Sequence, residues 1–460
     1  METIQKPFDS QERNDRIHGT IRDFFATFHI GSLLNRCGIR KVRGARPLVI
    51  ITALFGLPFQ GVNLYWGIVR NRELGFLKDA SYDVLKRPNF NWRILLLSLS
   101  VEITRFFASL ANEKRETVLI IDDSTLERPR SKKVELLARV FDHCTGKYLR
   151  GFRFLSMVWS DGVSTVPVDF ALLSSADPEN RYQGVTTEVD KRSCGYKRRT
   201  EAVMHATELL EPMVKRAIRA GIKARYILMD SWFGFPSIIR TLSAHLPVIC
   251  MLKRMPKVFY GYRGTKMTLK TLYQTVRKRP GKARIVASVR VTIAPAQTVK
   301  IVFVRDRHNQ DWLALLSTNV NLSDTEIVRI YGKRWDIEVF FKMAKQYLHL
   351  EKGVQLRNFD GLIAHTTIAL LRYLFLSYRQ RCETDPRTFG ELFRAGCDEI
   401  RDITLLEALQ RILTLVADAL RKIEIASEQF IQQLIDDIMG TVLEKMNLKP
   451  LSSPNLLATK

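Results

Sequence analysis

Cysteine is scarce in this chain of 460 residues, and Cys37, Cys144, Cys194, Cys250, Cys382 and Cys397 lie far apart with no CxxC pair. That spacing argues against a disulfide framework or a cysteine zinc site and suits free thiols in a reducing compartment. The eight histidines are equally scattered, so a histidine metal site has no support. A bound metal would therefore fall to carboxylates, which favours magnesium or manganese. Acidic residues are in deficit as well: 47 Asp and Glu against 72 Lys and Arg leave a formal charge of +25. Such a balance calls for a polyanion, either nucleic acid or a membrane surface. Long apolar runs are the third absence. Leu48–Phe59 is interrupted by Pro58, and Ile94–Leu110 carries Glu102 and Arg105. Both fall short of the roughly 20 uninterrupted apolar residues of a spanning helix. Residues 1–15 are polar and charged, unlike a signal peptide. The expectation is a soluble intracellular protein whose polyanion is DNA, with no membrane partner.

What is present sorts into blocks. With 46% apolar residues the chain is long enough for two or three cores. Residues 1–112 read as a helical, basic region suited to DNA binding. Val118–Ile121 is a short buried-strand pattern ending at Asp122 and Asp123. Phe152–Trp159 and Ser164–Leu172 are strand-like and flank Asp161-Gly162, a hairpin signal. Residues 201–220 are helical in pattern and close at Gly221. Tyr226–Met229 is a further buried strand that delivers Asp230. Strand, hairpin, helix, strand is how a ribonuclease-H-like α/β core begins, and strand ends are where α/β folds place chemistry. This core is expected over 113–252 and 320–355. Residues 253–319 are basic and β-rich, too long for a loop, and read as an inserted β subdomain. Residues 356–460 return to helix, with amphipathic stretches near 362–378, 405–423 and 430–446 and a possible role in dimerisation.

One helix concentrates reactive side chains. Ser323 and Glu326 form an S-x-x-E capping box at its start. At about 100° per residue, Tyr331, Arg334, Glu338 and Lys345 then share a sector of roughly 60°. Ile337, Val339, Phe340, Phe341 and Met343 mark the same helix as partly buried. A partly buried stripe of mixed charge needs partners: a metal, a phosphate, or each other.

This stripe, Tyr-x2-Arg-x3-Glu-x6-Lys, resembles the YREK signature of bacterial insertion-sequence DDE transposases at all four positions. The resemblance spans about residues 116–380 and includes Asp122–Thr125 as a first aspartate motif and Asp230 as the second. It implies that Asp122, Asp230 and Glu338 hold two Mg2+ or Mn2+ ions for cleavage and strand transfer. Arg334 and Lys345 would grip phosphates, and Tyr331 would hydrogen-bond a phosphate or orient a neighbour. The first ligand is ambiguous: Asp-x-Ser fits Asp122, Asp-Ser-Thr fits Asp123, and we take Asp122. Trp312, in a strand upstream of the signature helix, resembles the tryptophan on which hairpin-forming relatives stack a flipped base. Implied partners are the inverted repeats at the element's ends, target DNA and a second copy of the chain, in the bacterial cytoplasm. A transposase-derived DNA-binding regulator or another ribonuclease-H-like nuclease is the competing reading. Each residue also has a bland role: aspartates start turns and cap helices, helix carboxylates face water, and tryptophan fills cores.

Overall fold

The computed structural model describes residues 19–40, 44–69, 75–110, 115–142, 145–186, 188–281, 283–293, 296–306, 311–352 and 355–382, with isolated positions from 391 to 441. By its contacts the chain divides into residues 20–392 and a second unit of residues 1–19 with 393–460. The amphipathic stretches 405–423 and 430–446, and with them most of the expected dimerisation region, lie outside the described residues.

Helices α1 (Gly19–Thr27), α2 (Ile30–Arg36), α3 (Pro47–Gly56), α4 (Lys78–Leu85) and α5 (Trp92–Ser109) precede the first strand. A π-helical turn, Tyr65–Val69, interrupts them. The sheet then forms from β1 (Val118–Glu127), β2 (Ala138–Asp142), β3 (Lys147–Ser160), β4 (Thr165–Leu173), β5 (Tyr226–Met229) and β6 (Val248–Leu252). Strand β1 pairs antiparallel with β3 and parallel with β5, and β5 pairs parallel with β6. Strand β4 pairs with the far side of β3 across the Asp161-Gly162 hairpin, where Gly162 takes φ 86°. The architecture is mixed α/β.

Four expectations are corrected in detail. Strand β1 does not stop at Ile121 but runs through both aspartates to Glu127, because all ten of its residues keep their partners on β3. The pattern over 201–220 is two helices, α6 (Cys194–Ala202) and α7 (Ala206–Ala220). A capping box of His205 and Glu208 opens the second, and Gly221 closes it at φ 102°. Residues 259–317 form β7 (Phe259–Tyr262), β8 (Thr265–Thr268), β9 (Ile285–Ile293), β10 (Gln297–Arg305) and β11 (Trp312–Ser317). These strands form no separate sheet. β11 pairs with β6, so they extend the core sheet in the order β6-β11-β10-β9-β7-β8. Two helices punctuate this stretch of chain, α8 (Pro236–Ser243) before β6 and α9 (Leu269–Thr275) between β8 and β9.

The signature helix is likewise two helices, α10 (Asp324–Gly332) and α11 (Trp335–Gln346). The Ser323/Glu326 box caps α10 as expected. At the break, Lys333, Arg334 and Asp336 each donate their amide to the carbonyl three residues back, the tighter 3₁₀ pattern. Helix α12 (Phe359–Cys382) is long and apolar enough to cross a membrane by composition, but its apolar window is wholly buried inside the protein. It packs against α5, β4 and α3 as a core helix.

Candidate active site

Side chains alternate along a strand, so Asp122 and Asp123 leave β1 on opposite faces. Asp123 accepts from Arg153 Nε at 2.6 Å; Arg153 stands opposite Thr125 on β3, one diagonal step away. Asp122 lies on the other face, the one α11 covers. Phe154, on that same face of β3, meets Phe340 and Phe341 of α11 at centroid distances of 6.4 and 5.8 Å. Asp122 is buried, and its Oδ2 accepts from Arg334 Nη1 at 2.9 Å. The same nitrogen donates to Glu338 Oε1 at 3.3 Å, so one guanidinium tip ties two carboxylates together.

Asp230 follows β5 directly. Ile121 is registered against Met229, which puts Asp230 beside Asp122 on the neighbouring parallel strand. Its Oδ1 accepts from the Ser231 amide at 2.6 Å and caps the short turn Ser231–Phe233. Structural cap and site residue are therefore the same side chain. The Tyr331 hydroxyl is buried with no hydrogen-bond partner among the described residues.

The electrostatics follow from that crowding. Burial pushes the Asp122 pKa up to about 8; Arg334 and the Asp123 amide oppose this, while the Asp123 and Asp230 carboxylates add to it. Burial works against the charge of Arg334, yet Tyr331, Asp122, Asp230 and Glu338 together hold its pKa above the ordinary value. Burial drives the Tyr331 phenol well above its usual range, with Asp230 and Asp122 adding to the rise.

Lys345 sits two turns beyond Glu338. Its Nζ donates to the Thr125 carbonyl at 2.5 Å and pairs with Glu351 at 3.4 Å. It is anchored to β1 three residues past Asp122, not to the carboxylates. Trp312 is 9% exposed and covered on its faces: Tyr273 stacks at 4.4 Å and the Arg254 guanidinium lies over the ring at 4.1 Å. A base could reach that ring only if Arg254 or Tyr273 withdrew. Sequence reasoning did not find Arg153 or the dual role of Arg334; strand parity could have suggested the first, and only the fold shows the second.

Among the described residues no three His, Cys, Asp or Glu side chains already converge enough to hold an ion. The donor set nonetheless fits a hard dication. Asp122, Asp230 and Glu338 offer only oxygens, and a cation already bridges two of them in the form of Arg334. The buried Asp122 carboxylate is the charge such an ion would compensate.

Comparison with known proteins agrees with this chemistry. Residues 280–380 match the family described as "Archaeal putative transposase ISC1217". No curated protein sequence matches the chain. Among solved structures, the Drosophila P element transposase strand transfer complex is 10% identical and covers 95% of this chain and 87% of its own. Its TM-score is 0.21, too low to indicate a shared fold. The model of the DDE superfamily endonuclease family matches residues 68–311, more than half of the sequence. The chain thus belongs to the DDE superfamily of endonucleases.

Proposed function

We propose that this protein is a DNA transposase that cuts at the ends of an insertion sequence and transfers the cut strands into target DNA. The observation that carries the reading is that Arg334 bridges Asp122 and Glu338 while the pairing of β1 with β5 sets Asp230 beside Asp122, within a DDE endonuclease. The strand order β4-β3-β1-β5-β6, with β1, β5 and β6 parallel, is what a ribonuclease-H-like core requires and supports the same reading.

Asp122, Asp230 and Glu338 would hold two magnesium or manganese ions, which when bound supply an activated oxygen nucleophile and stabilise the departing oxygen. The chain's own groups do the rest. Arg334 is the cation among the carboxylates, and its fork is suited to a phosphate oxygen of the strand being cut. Tyr331 stays protonated and offers a buried hydroxyl donor toward the same space. Asp123 is held by Arg153 on the opposite face, which leaves Asp122 as the first carboxylate. A second copy of the chain would be needed to hold both element ends.

The test uses plasmid DNA carrying the element's inverted repeats and magnesium. Wild-type protein should release the element, while Asp122→Asn, Asp230→Asn and Glu338→Gln should each lower cleavage by at least about 100-fold. Binding to the ends should survive in all three. Undiminished cleavage by Glu338→Gln would sink the assignment; end binding without cleavage by wild-type protein under any divalent ion would point to a regulator.

A further inference from the structure

A cleft of about 330 Å³ opens at the far end of β1, lined by Glu127, Pro129, Arg139, Tyr148, Arg150 and Tyr182. Its two arginines each sit over a tyrosine ring. The Arg139 guanidinium is 3.9 Å from the Tyr148 centroid, and that of Arg150 is 4.4 Å from the Tyr182 centroid. The rings are 58% and 48% exposed, a large apolar area for a surface that serves no core. A guanidinium held over a ring has already lost rotamer freedom and is preorganised for phosphate. Arg150 Nη1 also donates to the Ser131 carbonyl at 3.2 Å, which fixes it further and leaves its other N–H groups for a ligand. The sole carboxylate of the lining is Glu127, and the adjoining loop adds exposed Arg130, Lys132 and Lys133.

Its position gives the cleft a meaning. Glu127 lies five residues beyond Asp122 on the same strand, about 17 Å at ~3.3 Å per residue. That length matches about five nucleotides of a DNA strand at ~3.4 Å each. Between the two stands Lys345, anchored to Thr125. Glu351 joins the pieces, since it pairs with Lys345 and accepts from the Glu127 amide at 3.4 Å. We propose that Arg139 and Arg150, held by Tyr148 and Tyr182, form a second DNA-binding site that grips the phosphodiester backbone about five nucleotides from the cut. This rests on the reading of the chain as a DNA-cutting enzyme. It assigns a path for the DNA, from Asp122 past Lys345 and along β1 to the cleft.

The experiment measures binding of a fluorescein-labelled 30-base-pair duplex across a salt series. Arg139→Ala/Arg150→Ala should weaken binding on the order of tenfold and lower the magnitude of the log K against log salt slope by nearly two, the value for two lost phosphate contacts. Lys191→Ala/Arg192→Ala, which removes the same charge from exposed residues elsewhere, should change the slope far less. Arg139→Glu alone is the safeguard against misfolding, since Arg139 is exposed; it should weaken binding at unchanged melting temperature. Tyr148→Phe should retain the wild-type slope and Tyr148→Ala should lose about half the effect. Equal slopes for the cleft pair and the control pair would overturn the cleft. Absence of duplex binding by wild-type protein would instead overturn the DNA reading itself.

Discussion

Asp122 carries the highest electrostatic cost in the active site. Its carboxylate is buried beside Asp230, and the Arg334 guanidinium and the Asp123 amide, which donates to its Oδ1 at 2.8 Å, offset its charge. Such a group is less stable ionised than it would be in water, and a divalent cation would reverse that. Adding magnesium to the DNA-free protein should therefore raise its melting temperature, because an ion that binds only the folded state stabilises it. Asp230→Asn and Glu338→Gln should remove most of that rise, measured by scanning calorimetry with and without chelator. A magnesium-induced shift equal in wild type and both variants would refute carboxylate coordination at this site. Arg334 has the complementary role, since without it three acids would share one space with no countercharge.

At the scale of elements, the site depends on α11 lying over β1, and that placement depends on α12. Arg372 of α12 is buried with no carboxylate partner among the described residues. It donates to the carbonyls of Phe55 at 3.0 Å, Leu54 at 2.6 Å and Leu348 at 2.8 Å. Two of these are C-terminal carbonyls of α3 and the third follows α11, so one side chain caps one helix and ties the exit of another. Burial lowers its pKa to about 9, yet it remains charged near neutrality. Arg372→Ala should cost about 3–5 kcal/mol, because three buried carbonyls lose their donor. Arg372→Lys should recover less than half, since an ammonium cannot reproduce the planar fork. Urea unfolding of the three proteins measures both. The break at Gly332–Arg334 acts at the same scale: it changes the phase of Tyr331 on α10 relative to α11, while Arg334 and Glu338 keep an ordinary i, i+4 pairing.

For the whole molecule, one part of the pH dependence can be traced to a core histidine. His365 is buried, and its Nε2 must donate to the His349 carbonyl at 2.8 Å, which fixes the neutral tautomer. Burial, with Arg372 adding to it, lowers its pKa from 6.5 to about 3. A lowered folded-state pKa means the unfolded chain binds the proton first. This contribution is complete above pH 6.5 and is lost as pH falls toward 3. Wild type should lose about 3 kcal/mol of stability between pH 7 and pH 4 relative to His365→Gln. Thermal unfolding across that range should show parallel profiles if the histidine is irrelevant. Asp122, whose raised pKa makes the folded state gain stability as pH falls, contributes in the same window with the opposite sign, which is why the difference between the two proteins is the quantity to read.

Much of the candidate site was legible in the residues themselves. Buried-strand runs at Val118–Ile121 and Tyr226–Met229 mark where Asp122 and Asp230 arise, because a run of branched apolar residues has little other stable use. The Ser323/Glu326 box starts the helix that leads to Glu338, since capping is local chemistry. What no local pattern contains is pairing between distant segments. That β1 continues past its aspartates depends on β3, and that the strands after β6 extend one sheet depends on β11 meeting β6. The choice between Asp122 and Asp123 depends on which face α11 covers. Trp312 resembles in sequence a base-stacking platform but is sandwiched in the fold, and the arginines and tyrosines of the cleft come from β2, β3 and the segment after β4. The sequence by itself determined which groups could do the chemistry; the tertiary structure alone decided which of them meet, because burial and register depend on contacts between segments far apart in the chain.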